Sequence, residues 1–226
     1  MDLQRGRYLL LNLKGYTESF ADASLSIAAY ARDVSNETGV TVIVCPPTPW
    51  LQPVSFSGAV TYAQHADPVE PGATTGYHSL EMLRTAGASG TLINHSEHRL
   101  PLWEMEFLVE RSKKLGMRSV VCADTPRTVA AASALRPDMV AIEPPELIGK
   151  GVSVSKAKPE VITESVLSIR RINREVIIIA GAGVSTAADV SKAVELGAEG
   201  ALVASAVVKS DRQKRLIEEM AAAMAG

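Results

Sequence analysis

The sequence predicts an α/β protein whose eight parallel strands close into a (β/α)8 barrel. Three observations predict this fold. Eight short apolar runs recur along the 226 residues. Each run is apolar on successive residues rather than alternating, the pattern of parallel strands buried on both faces. Helical stretches separate the runs, and strand–helix alternation implies βαβ units. An open doubly wound sheet usually has fewer strands and would need polar edges. The chain is short for a barrel, which typically takes about 250 residues, so some helices must be trimmed. No linker or low-complexity segment divides it, and residues 1–226 read as one barrel domain.

In chain order, the strands are expected at Tyr8–Leu13, Val40–Cys45, Val60–Ala63, Thr91–Asn94, Ser119–Cys122, Met139–Glu143, Val176–Ala180 and Ala201–Ala204. Helices are expected at Ser19–Thr38, Ser79–Ala86, Leu102–Lys114, Thr125–Leu135, Pro159–Asn173, Thr186–Leu196 and Arg212–Met224. Thr48–Val54 has room for a turn or two only. Gly39, Gly116 and Gly197 follow helices, where glycine takes the left-handed conformation with little strain. Thr125-Pro126 and Ser185-Thr186 read as helix starts. Asp189 lies near the first turn of its helix, where the helix dipole favours an acid.

Composition excludes several functions. Net charge is −2, so no broad basic field points to nucleic acid. Aromatic residues are only 4%, too few for base-stacking platforms. Hydrophobic residues make up 46%, enough for a large core. Cys45 and Cys122 each close an apolar run and form no CxxC pair, so a reduced, cytoplasmic setting is expected. The charged start of the chain precedes no signal-like apolar stretch, and no apolar run reaches the length of a membrane span.

A barrel carries its site at the C-terminal ends of its strands. Glu143 sits at such an end, followed by a stiff Pro144-Pro145 pair and by Gly149 and Gly151. A carboxylate partly withdrawn from water becomes a stronger base. A loop stiff at one end and glycine-rich at the other can close as a unit. Asn12 and Lys14, two apart in an extended segment, would point to one side and offer amide donors and a positive charge. His95 precedes a turn that leads into a helix, where a neutral imidazole is favoured as a donor to a carbonyl oxygen. Each has a plain alternative: a surface acid, a surface lysine, a hydrogen-bonded structural histidine. Glu97 is placed to pair with Lys14 or to form an ordinary surface ion pair. The His95, Glu97 and His98 spacing matches no zinc motif, so no metal is expected.

Gly181-Ala182-Gly183 follows a strand and precedes a helix, where backbone amides can cradle a phosphate. The dinucleotide fingerprint is incomplete because Thr186 stands at its last glycine position, so a nicotinamide cofactor is set aside. Ala204-Ser205 is a second small-residue turn. Loops after the seventh and eighth strands are the recurrent phosphate site of barrels. Taken alone, each loop is also a tight turn between strand and helix.

The arrangement resembles the triosephosphate isomerases in their short archaeal-type form. Asn12-x-Lys14, Asn94-His95-Ser96-Glu97, Ala141-x-Glu143-Pro144 with Ile148-Gly149-x-Gly151, and Gly181-Ala182-Gly183 carry the resemblance. Tyr62-Ala63-Gln64-His65 and Gly72-Ala73-Thr74-Thr75-Gly76 extend it across the chain. It implies a TIM barrel that interconverts dihydroxyacetone phosphate and D-glyceraldehyde 3-phosphate without cofactor or metal. Glu143 would be the proton-transferring base, His95 the electrophile, and Lys14 with Asn12 the stabilisers of anionic substrate. Ile148, Gly183, Ala204 and Ser205 would hold the phosphate. A homo-oligomer, tetramer or dimer, is implied, with the Thr75 loop reaching a neighbour. Ala180, Glu146, Lys150 and His98 depart from the wider family's pattern and put the latching of the lid in question. A different phosphosugar enzyme, such as an epimerase or lyase, and a non-enzymatic sugar-phosphate scaffold are the competing readings.

Overall fold

The structure, a computed structural model, describes residues 6–144 and 154–224. Its strands are β1 (Tyr8–Asn12), β2 (Thr41–Cys45), β3 (Val60–Ala63), β4 (Gly90–Ile93), β5 (Arg118–Ala123), β6 (Met139–Ile142), β7 (Ile177–Ala180) and β8 (Gly200–Val203). Each pairs in parallel with its sequence neighbour, and β8 returns to β1, so the barrel is closed. The closing register sets Tyr8 opposite both Thr41 and Gly200.

Strand residues alternate between the barrel interior and the helices outside. Leu10, Ile43, Leu92, Val120, Met139 and Ile179 belong to the inner core. Leu9, Leu11, Val42 and Val44 pack outward instead. Both sets are buried, which is why the runs are apolar at every position. Gly200 is the residue that lets β8 reach β1: a Cβ there would collide with the Tyr8 carbonyl and with Ile179.

The outer layer consists of α1 (Asp22–Thr38), α2 (Leu51–Phe56), α3 (Leu80–Thr85), α4 (Leu102–Leu115), α5 (Pro126–Ala134), α6 (Val154–Ala157), α7 (Pro159–Ile172), α8 (Ala187–Glu195), α9 (Ser205–Val208) and α10 (Gln213–Ala222). The short α2 and α3, six residues each, are where the barrel is trimmed. Among the described residues no helix is long and apolar enough to cross a membrane.

The predicted caps form. Gly39 and Gly116 end α1 and α4 in the left-handed conformation, at φ 74° and 67°. Thr125 and Thr186 close capping boxes with Thr128 and Asp189 at the starts of α5 and α8. Several boundaries differ from expectation. The helix expected from Ser19 starts at Asp22, after a 3-10 turn over Thr17–Ser19. β1, β4, β6 and β8 each stop one residue short of the expected end, before Leu13, Asn94, Glu143 and Ala204. There the chain leaves the sheet to build the rim, and Asn94 does so at φ 61°. The short helices α6 and α9 were not expected, because four residues are too few to show helical periodicity.

Candidate active site

The strand ends deliver Lys14, His95, Glu143, Gly183, Ala204 and Ser205 to one cleft of about 440 Å³ that opens to solvent. These predicted residues come together as expected, joined by Tyr16, Gly181, Val184, Ser185 and Leu202. Asn12 is buried at the end of β1, behind Lys14. Ile148, the remaining predicted phosphate ligand, lies outside the described residues, as does the loop running from Pro145 through Glu146, Gly149, Lys150 and Gly151.

Glu143 is the first residue after β6, and its N–H donates to Ala123 O at 2.8 Å. That bond keeps the backbone in strand register while the side chain turns into the cleft. Only 2% of Glu143 is exposed, and its Oε2 has no hydrogen-bond partner among the described residues. The carboxylate lies against Gly181, where a Cβ would come within 2.5 Å of Glu143 Cγ and 2.9 Å of its Oε1. Gly181 is therefore a glycine because Glu143 occupies the space of its missing side chain. Beneath it, burial and the neighbouring Glu143 charge push the Cys122 thiol well above the usual cysteine range, so Cys122 stays a neutral core side chain.

His95 follows β4 and is also buried. The Glu97 N–H donates to its Nδ1 at 3.2 Å. A ring nitrogen that accepts an amide proton carries none of its own, so the proton of the neutral ring sits on Nε2. Nε2 faces Glu143 Oε1 at 3.6 Å. A turn, with the His98 N–H donating to His95 O at 2.8 Å, sets this geometry. The helix α4 begins only at Leu102, so the amide of the turn, not a helix terminus, sets the histidine tautomer.

Lys14 departs from the extended geometry expected of it. It sits in a turn at φ 49°, so alternation along a strand does not set its direction. Its polar groups are held instead. The Lys14 N–H donates to Asn12 Oδ1 at 3.0 Å, and Lys14 O accepts from Gln64 Nε2 at 3.1 Å. The ammonium meets Glu97 Oε1 at 2.6 Å. Asn12 is thus a brace of the Lys14 turn. Gln64 also donates to Cys45 O at 2.9 Å and so ties three strand ends together. Its signal in the sequence is a polar residue directly after an apolar strand at the site-bearing end. Glu97 has two roles, of which only the pairing with Lys14 was foreseen.

Small residues line the opposite wall. Gly183 takes φ 67°, and Ala204 precedes α9. Asp189 anchors this wall: its Oδ2 accepts from the Ser185 and Thr186 amides at 3.1 and 2.9 Å, and Lys156 of α6 meets its Oδ1 at 2.7 Å. Burial opposes the Asp189 charge, but these partners outweigh it and hold its carboxyl below the usual range. Val154 N–H also donates to Ala182 O at 2.9 Å, so α6 is docked on the loop after β7. Among the described residues no group of three or more histidine, cysteine or acidic side chains is placed to hold a metal.

A buried carboxylate, a histidine with its proton on the cleft-facing nitrogen, a braced lysine and two small-residue loops can bind an anionic carbonyl compound and move its protons. Comparison with known proteins identifies the lineage of this arrangement. The family model for triosephosphate isomerase matches residues 7–220. The triosephosphate isomerase of Caldivirga maquilingensis is 47% identical over 219 residues, 96% of this chain and 97% of the relative. That of Methanothermobacter thermautotrophicus is 47% identical over 212 residues, 93% of each chain. That of Saccharolobus solfataricus is 45% identical, again covering 93% of each. On a match that runs almost end to end, the chain belongs to the triosephosphate isomerase family.

Proposed function

We propose that Glu143, His95 and Lys14 carry out the reaction of that family, the interconversion of dihydroxyacetone phosphate and D-glyceraldehyde 3-phosphate. Glu143 takes a proton from C1 of dihydroxyacetone phosphate while His95 Nε2–H hydrogen-bonds the C2 oxygen. The C–H electron pair becomes the C1–C2 double bond of an enediolate. His95 passes protons between the two oxygens, and Glu143 returns its proton to C2. The product is the aldehyde, and every proton is moved by a side chain of the chain itself. Lys14 offsets the developing negative charge, and Asn12 holds the Lys14 turn. Preorganised charges stabilise such an intermediate more strongly once water is excluded than they would in solvent. The amides of Gly183, Ala204 and Ser205, with Ile148 from the loop beyond Glu143, bind the phosphate. Closure of that loop keeps the enediolate from losing phosphate to water.

The observation that carries this reading is the buried Glu143 carboxylate facing His95 Nε2 at 3.6 Å. An epimerase or a lyase would instead show activity only on larger sugar phosphates or a requirement for metal. A binding scaffold has no need of a base, an imidazole and a cation held together at one rim. The test is a coupled assay with D-glyceraldehyde 3-phosphate. Glu143→Asp withdraws the carboxylate by one methylene and should lower kcat about 10²-fold or more while changing KM little. Unchanged turnover would remove Glu143 from the role of base.

The protein is further proposed to be one barrel domain that assembles as a homo-oligomer, a tetramer or a dimer, in the cytoplasm. Two features support this. Both cysteines are free and buried. The loop around Thr75 is closed at its base, where Asp67 N–H donates to His78 O at 3.0 Å, and its tip stands exposed. That tip reaches a neighbour's site near Asn12 and His95.

A further inference from the structure

Two histidines outside the cleft join the two segments that brace it. The rings of His65 and His98 lie parallel within 15°, with their centroids 3.8 Å apart. His65 follows Gln64, which holds the Lys14 and Cys45 carbonyls. His98 follows Glu97, which holds the Lys14 ammonium and the His95 ring. The stack therefore connects the loop after β3 to the turn after β4, and each ring is one residue from a group that positions the site.

We propose that the His65–His98 stack is an acid-sensitive latch: an uncharged stack holds the two bracing segments together, and the charge it gains in acid separates them and lowers turnover. Its effect on turnover rests on the reading of Lys14 and His95 given above; the latch itself does not.

The charges around the stack set its behaviour. Asp67 Oδ1 lies 3.3 Å from His65 Nε2. The other oxygen of Asp67 accepts the His78 N–H at 2.6 Å and lies 3.7 Å from His78 Nδ1. Glu97 and Arg99, on either side of His98, are paired with Lys14 and Asp124. One carboxylate thus serves two histidines, and among the described residues His98 makes no ion pair of its own. Burial, reinforced by His98 and His78, outweighs Asp67 and holds His65 below its usual 6.5. A histidine whose folded value is depressed favours the folded arrangement in its neutral form. The latch is therefore complete above 6.5 and is lost as pH falls through the lower folded value. Two unit charges at this separation repel enough, even with the dielectric of bulk water, to shift an equilibrium about fivefold.

The test compares the wild-type protein with His98→Phe, which keeps a stacking ring but cannot be protonated. kcat/KM is measured for both from about pH 8 to about pH 5, the range in which histidine titrates. Titration of substrate and of site groups is common to both proteins and cancels in the ratio. The ratio of wild type to variant should be flat in the upper range and fall about fivefold toward the lower end. Amide hydrogen exchange of residues 66–78 and 95–99, compared at each pH, should become faster in the wild type than in His98→Phe in acid. Superimposable exchange in both proteins overturns the latch. Divergent exchange with a flat activity ratio keeps the latch and overturns its coupling to Lys14 and His95. If His98→Phe does not fold, His65→Phe makes the same comparison from the other ring.

Discussion

At the residue scale the site depends on an absence. Glu143 turns into the cleft because Gly181, on the neighbouring strand end, has no side chain. Gly181 is not at a positive φ, so alanine is tolerated by the backbone there, and the three atoms nearest to the added methyl all belong to Glu143. Gly181→Ala should lower kcat about 10²-fold, the scale expected when a catalytic group is displaced by about 1 Å, and cost about 1–3 kcal/mol of stability as an overpacked methyl. A thermal melt run beside the coupled assay separates the two effects. An active Gly181→Ala enzyme would mean that the carboxylate has room the structure does not show. Glu143, His95 and Lys14 could be picked out in the sequence because polar residues directly after buried strands stand out. The reason for Gly181 could not, since the atom that excludes a side chain belongs to a residue 38 positions away, counting from 143 to 181.

At the element scale the loop after β7 and the helix α6 form one unit around Asp189. Its carboxylate caps α8, holds the Ser185 amide and pairs with Lys156. The helix start was legible because Ser185-Thr186 are capping residues and Asp189 follows in the first turn; the reciprocal bond that closes the capping box is seen only in the fold. The link to α6 was not, because a four-residue helix leaves no periodic trace and Lys156 is 33 residues from Asp189. Asp189→Ala removes the box and both loop amide bonds. It should cost about 1–2 kcal/mol, which lowers the melting temperature by about 4 °C in a domain of this size. The wall proposed to hold the phosphate should loosen with it, so KM should rise more than kcat falls. The pH dependence has a definite sign. The folded carboxyl lies below its usual 3.8, so its contribution is present above that value and is lost as pH falls through the lower folded one. Calorimetric melts of wild type and Asp189→Ala should therefore converge in strong acid; a gap that persists there would show that the charge is not what stabilises the unit.

On the scale of the whole molecule, closure of the barrel and assembly are separate matters. The barrel closes within one chain through the β1–β8 pairing, with Gly200 against Tyr8. The Thr75 loop takes no part in that closure, and its exposed tip makes it available to a neighbour. Thr75→Arg should leave the melting profile of the isolated barrel intact while weakening association and activity together. Sedimentation velocity and the coupled assay on the same samples read both. A variant that stays assembled and fully active would place the interface elsewhere.

Strand count, parallel order and the site-bearing rim were readable in the chain alone. Each follows from local chemistry: runs buried on both faces, capping residues at helix ends, and polar residues where a buried strand stops. Contacts between distant segments were decided only by the folded chain. The left-handed turn of Lys14, the Gln64 clamp, the tautomer of His95 and the His65–His98 stack all depend on which strand ends become neighbours. Periodicity reports how a residue sits relative to its own element. The distance between two side chains on different elements is set by barrel closure, and no local pattern carries it.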